Sequence, residues 1–424
     1  MTHTNCINNL LEIKDVNINL LENSYREEKI NNITTKIING ILSYTPIKCP
    51  CCKNINHSSK DIIKHGFKKN CKIILPKVSS FNTILFLDKQ RYFCKNCNST
   101  FTADTSLVDK YRNISNNTLL SIRLDLMSKS SEKDIAKRHN VSHNTINRFI
   151  DFLSMKTVLP GCLPSSINID EFMATKDTKG KMAFHIVNNT TGKTFDILDS
   201  RKSNDLYKYF MRFPRKQRLN VKFIIVDMYN PYYKLFKVIF PKATIITDKF
   251  HVVALASNSL KMTRIKVMKR NVKYYNKLKH YWKLIQKFED DLDSNKKHYS
   301  NHFKKYITEY EIVQFLINTD KELLATYNVY QGILRSIRNK DISLFIKIIS
   351  SKHNNISDYM NTTLNTFNKF KISIVNSFIY QLNNGVIEGI NNLIKCIKRI
   401  AFGYRSFYHF KTRIMLIAGI KITA

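Results

Sequence analysis

The chain has 424 residues, of which 43% are hydrophobic and 24% charged, a length that allows two to four domains at roughly 100–200 residues each. No apolar run approaches ~18 residues, which excludes a membrane-spanning helix, and 10 Gly with 8 Pro exclude a collagen-like or low-complexity chain. There are 69 Lys+Arg against 32 Asp+Glu, a net charge of +37. An AT-rich genome inflates lysine but does not explain so few acids, so the expected partner is a polyanion, first of all nucleic acid. The opening MTHTNCINNLLEIKDVNINL has no basic-then-apolar leader, and the expected location is the cytoplasm.

In chain order, residues 1–45 read as short helices at about 8–21 and 26–42, without recognisable chemistry; a partner or dimer surface is the expectation. Residues 46–105 change character. Of nine cysteines, most lie in two clusters, which favours a metal site over a disulfide framework. Cys49 with Cys52 and Cys94 with Cys97 form two C-x2-C pairs. Each such turn aims two thiolates at one tetrahedral ion, and two turns close a structural Zn2+ site with no open position. The pairs stand further apart than the ~15–20 residues of a compact ribbon. One or two hairpins from KDIIKHGFKKN, CKIILPKV and NTILFLDKQRYF would fill the gap. Cys51 is a spare thiol able to replace Cys52, while Cys71, His57 and His65 lack paired spacing.

Residues 106–163 read as helices and contain SEKDIAKRHNVSHNTINRFID. Ser131 caps a first helix, Asn140 marks a turn and Ser142 caps a second. That helix buries Ile146, Phe149 and Ile150 and exposes His143, Asn144, Asn147 and Arg148. This is the length and polarity of a helix-turn-helix DNA-binding unit: Asn suits adenine edges, and Arg suits guanine or phosphate. Pro160, Gly161 and Pro164 mark a linker.

From residue 164 the pattern becomes three meandering strands (SINIDEFMAT, KMAFHIVNN, KTFDILDS), a helix at about 203–213, the strand VKFIIVDM, a short helix from Pro231 and the strand ATIITD. The order predicts an α/β domain with a mixed sheet. Residues 256–375 are expected to be almost wholly helical. Within them, residues 261–287 carry ten Lys and Arg and no acid, interleaved with Tyr274, Tyr275, Tyr281 and Trp282. Lys266, Lys269, Arg270 and Lys273 are the expected phosphate contacts. Residues 376–424 hold one amphipathic helix with Ile387, Ile390, Leu393, Ile394 and Ile397 on one stripe, and Glu388, Asn391, Asn392, Lys395 and Arg399 on the other.

Three acids stand out. Asp170 lies in the first strand, Asp227 ends the buried strand Phe223–Val226, and Glu388 lies on the last helix. An acid after four apolar strand residues is costly unless a cation or hydrogen bonds hold it, and ligands bind at the strand ends of α/β sheets. Two Asp on neighbouring strands with a Glu on a helix across them suit two Mg2+ (or Mn2+) ions and in-line attack on a phosphodiester. Asp248 and His251 are expected to support this site. Glu171 is expected on the opposite face.

Taken together, these motifs resemble the bacterial insertion-sequence transposases of the ISL3 group. The resemblance rests on C-P-x-C, then R-x-F-C-x-x-C, then the helix-turn-helix, then Ile169-Asp170-Glu171, Val226-Asp227-Met228-Tyr229, Asp248-Lys249-Phe250-His251, Asn384-Gly385-Val386-Ile387-Glu388-Gly389-Ile390-Asn391-Asn392 and Lys395–Arg405. It runs from about Cys49 to Arg413. It implies a ribonuclease H-like α/β mixed-sheet core at 164–255 and 376–424, with a large helical insertion at 256–375. Asp170, Asp227 and Glu388 then form an Asp-Asp-Glu triad for Mg2+-dependent cleavage at terminal inverted repeats and strand transfer to target DNA by a homo-oligomer, at least a dimer. Lys249 stands where the family often has Arg, and Cys51 is an additional thiol. Two other expectations compete: a zinc and helix-turn-helix regulator with a non-catalytic α/β domain, and a structure-specific nuclease of the same core.

Overall fold

The protein is described from a computed structural model, covering residues 3–22, 24–57, 60–155, 161–380, 382 and 385–418. Pro160 and Asn384, quoted above, lie outside them. The chain divides into two compact units, Met1–Thr157 with Cys396–Ala424, and Val158–Lys395.

The first unit opens with helix α1 (His3–Leu10) and continues in six strands: β1 (Ile18–Leu20), β2 (Arg26–Ile30), β3 (Ile33–Leu42), β4 (Ile62–Val78), β5 (Phe81–Cys94) and β6 (Ser99–Thr102). The helices expected at 8–21 and 26–42 are therefore corrected to one short helix and three strands. The run Ile33–Leu42 is rich in β-branched residues and nearly alternates between buried and less buried positions, a strand period. Asn31 and Asn32, both at positive φ (51° and 61°), make the two-residue turn that closes β2 on β3. The six strands form one sheet ordered β1-β3-β5-β4, with β2 on β3 and β6 on β5. Residues before 45 thus share a sheet with the cysteine region. The three strand-like segments between the cysteine pairs become one long hairpin, because β4 absorbs two of them through bulges.

Next come α2 (Asn116–Leu126), α3 (Glu132–Arg138) and α4 (His143–Met155). The Ser131 hydroxyl accepts from the Asp134 amide, Asn140 turns at φ 53°, and the Ser142 hydroxyl accepts from the Thr145 amide at 3.1 Å. Those local bonds satisfy helix-start amides and fix the two-helix geometry.

In the second unit, β7 (Ser166–Met173), β8 (Met182–Asn188) and β9 (Lys193–Leu198) form an antiparallel meander. Helices α5 (Ser203–Met211) and α6 (Arg215–Leu219) lead to β10 (Phe223–Val226), and α7 (Asn230–Ile239) leads to β11 (Thr244–Thr247). Both late strands run parallel to β7, giving the order β11-β10-β7-β8-β9. Ile167, Ile169, Phe184, Ile186, Ile224, Phe210 and Phe236 fill the core on one face of the sheet.

A largely helical region follows: α8 (Lys249–Arg270), α9 (Tyr275–His280), α10 (Trp282–Gln286), α11 (Glu309–Ile317), α12 (Lys321–Arg338), α13 (Ile342–Ser350), α14 (Asp358–Lys369) and α15 (Lys371–Tyr380). It is interrupted by a small hairpin, β12 (His298–Ser300) and β13 (Lys305–Ile307), where Tyr299 and Tyr306 pair across the strands. The Asn376 amide donates to the Ile245 carbonyl at 2.9 Å, tying α15 to the sheet edge. Helix α16 (Gly385–Ile400) buries Ile387, Ile394 and Ile397.

The last helix, α17 (Phe407–Ile417), belongs to the first unit. Its Leu416 joins Ile122, Leu126, Ile135, Ile146, Ile150 and Leu153 in the core of α2–α4. Its Arg413, 1% exposed, donates to the carbonyls of Leu126, Ser128 and Ser130. These are orphan acceptors at the C-terminal end of α2, so one planar guanidinium fixes the α2–α3 turn.

Candidate functional site

The four predicted cysteines converge. The thiol sulfurs of Cys49, Cys52, Cys94 and Cys97 all lie within 4.8 Å of one another, with Cys49–Cys97 at 3.7 Å and Cys52–Cys94 at 3.8 Å. Thiolates on a tetrahedron at ~2.3 Å from a zinc ion stand ~3.8 Å apart, so the donor set fits Zn2+ in both chemistry and spacing. Local turns aim the sulfurs. Lys53 and Asn98 sit at positive φ (64° and 50°), and the Lys53 amide closes on the Cys49 carbonyl at 3.0 Å. Cys52 belongs to the cluster; Cys51 is exposed, its sulfur outside the cluster while its amide donates to the Cys49 sulfur. Cys71, His57 and His65 are also outside it. A bond with the Ser99 hydroxyl holds the Cys97 thiol down to about 6, toward the thiolate that a metal needs.

The acids assemble in the second unit. Strands β7, β10 and β11 run parallel, with Ile225 opposite Asn168 and Val226 opposite Thr247. Asp170 within β7, Asp227 just past the end of β10 and Asp248 just past the end of β11 therefore fall at one height across the sheet. Asp248 is buried, and its carboxylate caps α8 at the Phe250 amide. Burial, together with the repulsion of Asp227, raises the Asp170 carboxyl above its ordinary value, against the pull of the Glu171 amide, His251 and Asn391. The His251 Nε2 stands 2.9 Å from Asp227 Oδ1, and that contact raises the imidazole toward its charged form. Two facing carboxylates that repel, one of them half-buried beside an imidazole, are a donor set of hard oxygens that a divalent cation fits.

Asn391 requires a correction. On the sequence pattern it faces solvent beside Glu388 as a DNA contact; in the structure it is 8% exposed, and its Nδ2 donates to Asp170 Oδ2 at 2.5 Å. The helix turns this amide inward, between the apolar stripe and the acids. Glu388, one turn earlier on α16, is exposed. Among the described residues, the four cysteines alone form a cluster of three or more ligand groups within 4.8 Å. The structure thus brings Asp170, Asp227, Asn391 and His251 together, while Glu388 is exposed and joins no ligand cluster.

One participant escaped sequence reasoning. His185 pairs with Asp170 across β7 and β8, is fully buried, and lies 2.9 Å from the Thr194 hydroxyl through Nε2. Burial pushes its imidazole down to about 4, with Asn391 opposing, so it is neutral. The signal was a lone histidine inside the apolar run Ala183-Phe184-His185-Ile186-Val187. Glu171 faces away as expected, bonded to Arg201 at 2.7 Å and to the Tyr232 hydroxyl.

The expected nucleic-acid contacts divide. His143, Asn144 and Arg148 are exposed on α4, with His143 3.7 Å from Glu132, and Asn147 is half-buried. Asn392, Lys395 and Arg399 are exposed on α16, as are Lys269 and Lys273. Lys266 and Arg270, though exposed, are paired within the unit, with Glu322 at 2.8 and 2.7 Å and, for Arg270, Asp320 at 2.5 Å. Tyr274 packs on Phe315 and Tyr281 on Phe303, whereas Tyr275 and Trp282 remain exposed.

Compared with known proteins, residues 167–414, more than half of the chain, match the family DDE_Tnp_ISL3, described as "Transposase". The chain is similar to the "Transposase for insertion sequence element IS1001" of Bordetella parapertussis, at 20% identity over 351 residues, 80% of this chain and 82% of that protein. It is also similar to a Lactococcus lactis subsp. lactis protein named "ATP-dependent protease", at 39% identity over 124 residues, which cover 28% of this chain and 39% of that protein.

Proposed function

Because the chain belongs to the transposase family DDE_Tnp_ISL3, we propose that it cuts DNA at the terminal inverted repeats of an insertion sequence and joins the freed ends to target DNA. Asp170, Asp227 and Glu388 are the catalytic and Mg2+-binding carboxylates of this reading. The observation that carries it is the pair Asp170 and Asp227, level with each other on adjacent parallel strands, the first within β7 and the second just past the end of β10, and electrostatically coupled. The strand order, a three-strand meander followed by two parallel strands on its first edge, supports reading residues 164–255 with 376–395 as a ribonuclease H-like core and 256–375 as its insertion; the core expected to run on to 424 is corrected, because residues 396–424 belong to the first unit.

Bound at the carboxylates, divalent cations activate an attacking oxygen and stabilise the leaving one. The chain's own groups do the positioning. The Asn391 amide fixes Oδ2 of Asp170 and the Glu171 backbone amide fixes Oδ1, so the carboxylate is held in one orientation. His251 orients Asp227. Residues three apart on a helix are neighbours, with Cβ atoms about 5–6 Å apart, so the Asn391 bond also sets where Glu388 is offered. The four thiolates hold a structural Zn2+, since they occupy every tetrahedral position. His143, Asn144, Asn147 and Arg148 on α4 read the repeat in a major groove. Two ends must be processed together, so the working form is at least a dimer.

A protease or nucleotide-driven reading gains nothing from the Lactococcus protein's name. The triplet Gly192-Lys193-Thr194 resembles the end of a phosphate-binding loop, but it lies in the β8–β9 hairpin rather than between a strand and a helix, and the Thr194 hydroxyl is engaged by His185. The test is a labelled duplex bearing the inverted repeats that flank the gene, incubated with Mg2+. The expected result is nicking at the repeat end by the native chain, and binding without nicking by Asp227→Asn. Full cleavage by Asp227→Asn refutes the assignment. Repeat binding with no metal-dependent cutting by the native chain leaves a regulator, and cutting by branch structure rather than by repeat leaves a nuclease.

A further inference from the structure

Strand β4 ends the sheet path of the first unit, and its eight consecutive residues Ile63–Asn70 are all exposed. They read Ile-Lys-His-Gly-Phe-Lys-Lys-Asn, with three lysines, a histidine and no acid; Phe67 is 42% exposed among them. The ribbon is anchored at defined points. Register shifts fall between Lys64 and Phe67 and between Lys68 and Cys71, with Gly66 and Asn70 at positive φ (70° and 54°). The Gln90 amide donates to the Gly66 carbonyl at 2.8 Å, and the Asp88 carboxylate accepts from the Asn70 amide at 2.7 Å. At its base, Ile62 pairs with the zinc-ligand Cys94, so the metal knuckle sets where the ribbon begins.

Lysines and bulges on an edge strand commonly serve to block strand addition. That role leaves two features without a reason. Lys68 stands directly opposite Lys89, a like-charge cross-strand pair that costs stability. Phe67 is an exposed aromatic on an edge that aggregation control would keep polar. Both make sense against a polyanion whose phosphates neutralise the lysines and whose sugars cover the ring. At ~3.3 Å per residue the exposed run is roughly 25 Å long, the rise of about seven base pairs at ~3.4 Å each.

We propose that the β4 ribbon, through Lys64, Lys68 and Lys69 with Phe67 between them, is a sequence-independent contact to the phosphate backbone of duplex DNA. This deepens the transposase reading in that it takes DNA as the partner, but it does not depend on the catalytic acids. Backbone contacts set register and affinity without reading sequence.

The test uses the full-length, zinc-loaded chain without Mg2+, with Lys64→Gln, Lys68→Gln and Lys69→Gln combined, and Phe67→Ala separately. Binding is measured on repeat-bearing and scrambled duplexes across a salt series. The triple variant is expected to weaken on both duplexes by the same factor, and to lose about 2–3 from the slope of log affinity against log salt, at ~0.9 per phosphate contact. Zinc content and melting temperature verify the fold. Phe67→Ala is expected to weaken both duplexes equally while leaving that slope alone. A triple variant with native affinity and slope overturns the proposal. So does one that self-associates while binding DNA normally, which would make the lysines an edge guard. A loss confined to the repeat duplex also overturns it. A native chain that binds both duplexes with the steep slope but never nicks the repeat duplex when Mg2+ is then added refutes the catalytic reading and leaves the ribbon standing.

Discussion

Replacing Asn391 with Leu separates a helix latch from a surface amide. The side chain is 8% exposed and bonds the Asp170 carboxylate at 2.5 Å, a charge-assisted bond of the class worth about 1.5–3 kcal/mol. Leucine has similar volume but leaves Asp170 without that donor, among neighbours that already resist its ionisation. In the metal-free protein the second unit is therefore expected to lose about that much stability. For a unit of about 150–250 residues this lowers its melting temperature by roughly 3–12 °C. In Mg2+, single-turnover nicking of a labelled end duplex should slow roughly 10- to 150-fold, the same energy moved to the barrier, with DNA affinity unchanged. Asn391→Asp sharpens the result. It sets a second carboxylate against Asp170, so its melting temperature should be lowest without divalent cation and should climb more steeply than the native protein's as Mg2+ is added. An Asn391→Leu protein that melts within a degree of native and nicks at the native rate refutes the latch.

Chelating the cysteine-bound metal should melt the first unit's knuckle, and Cys94→Ser should reduce bound zinc to a small fraction of one equivalent while Cys51→Ser keeps one; inductively coupled plasma analysis reads both. Arg413→Met should cost at least about 3 kcal/mol, because three carbonyls lose their donor at a buried site, and Arg413→Lys should not restore it, since an ammonium cannot fork; chemical denaturation followed by circular dichroism measures this. Glu309 is held below its ordinary 4.5 chiefly by the Lys287 ammonium at 2.6 Å. Its contribution is present above that value and disappears as pH falls through the lower folded one. Glu309→Gln should accordingly cost about 0.5–1 kcal/mol near pH 7 and progressively less as the pH falls below 4.5 in urea titrations.

The parts of the molecule legible in sequence were those whose signal is local. The spacing of Cys49, Cys52, Cys94 and Cys97, the caps at Ser131 and Ser142, and the apolar strand ending at Asp227 each state their geometry within a few residues. The first 45 residues were misread because asparagines and isoleucines satisfy a helical period almost as well as a strand one. The Asn31-Asn32 turn, with both residues at positive φ, was the decisive cue and it is only two residues long. Asn391 was misassigned for a different reason. Helical spacing places it on the boundary between apolar stripe and polar face, and which side it serves depends on Asp170, a residue far away in sequence. His185 is invisible for the same cause: its meaning lies in the cross-strand pairing with Asp170, which no local period encodes.

The two metal centres proposed for this chain are built on opposite principles, and the contrast explains their sequence signatures. The thiolate site is closed: its ligands sit in pairs three residues apart, each pair on its own turn, because a structural ion must be held by short rigid loops that fold around it. In the proposed function the carboxylate site has to stay open to a phosphodiester, so its acids come singly, from separate strands and from a helix far along the chain. The sheet sets the positions of Asp170, Asp227 and Asp248 before any cation arrives, and the repulsion between Asp170 and Asp227 is offset by a histidine on one carboxylate and an amide on the other. An arrangement of that kind is under strain without a divalent ion and relaxed with one. Mg2+ alone, with no DNA present, should therefore raise the melting temperature of the native second unit, and Asp227→Asn should abolish most of that rise while itself melting at or above the native temperature in the absence of metal. A native protein indifferent to Mg2+ in this assay would remove the electrostatic basis for placing cations at these strand ends.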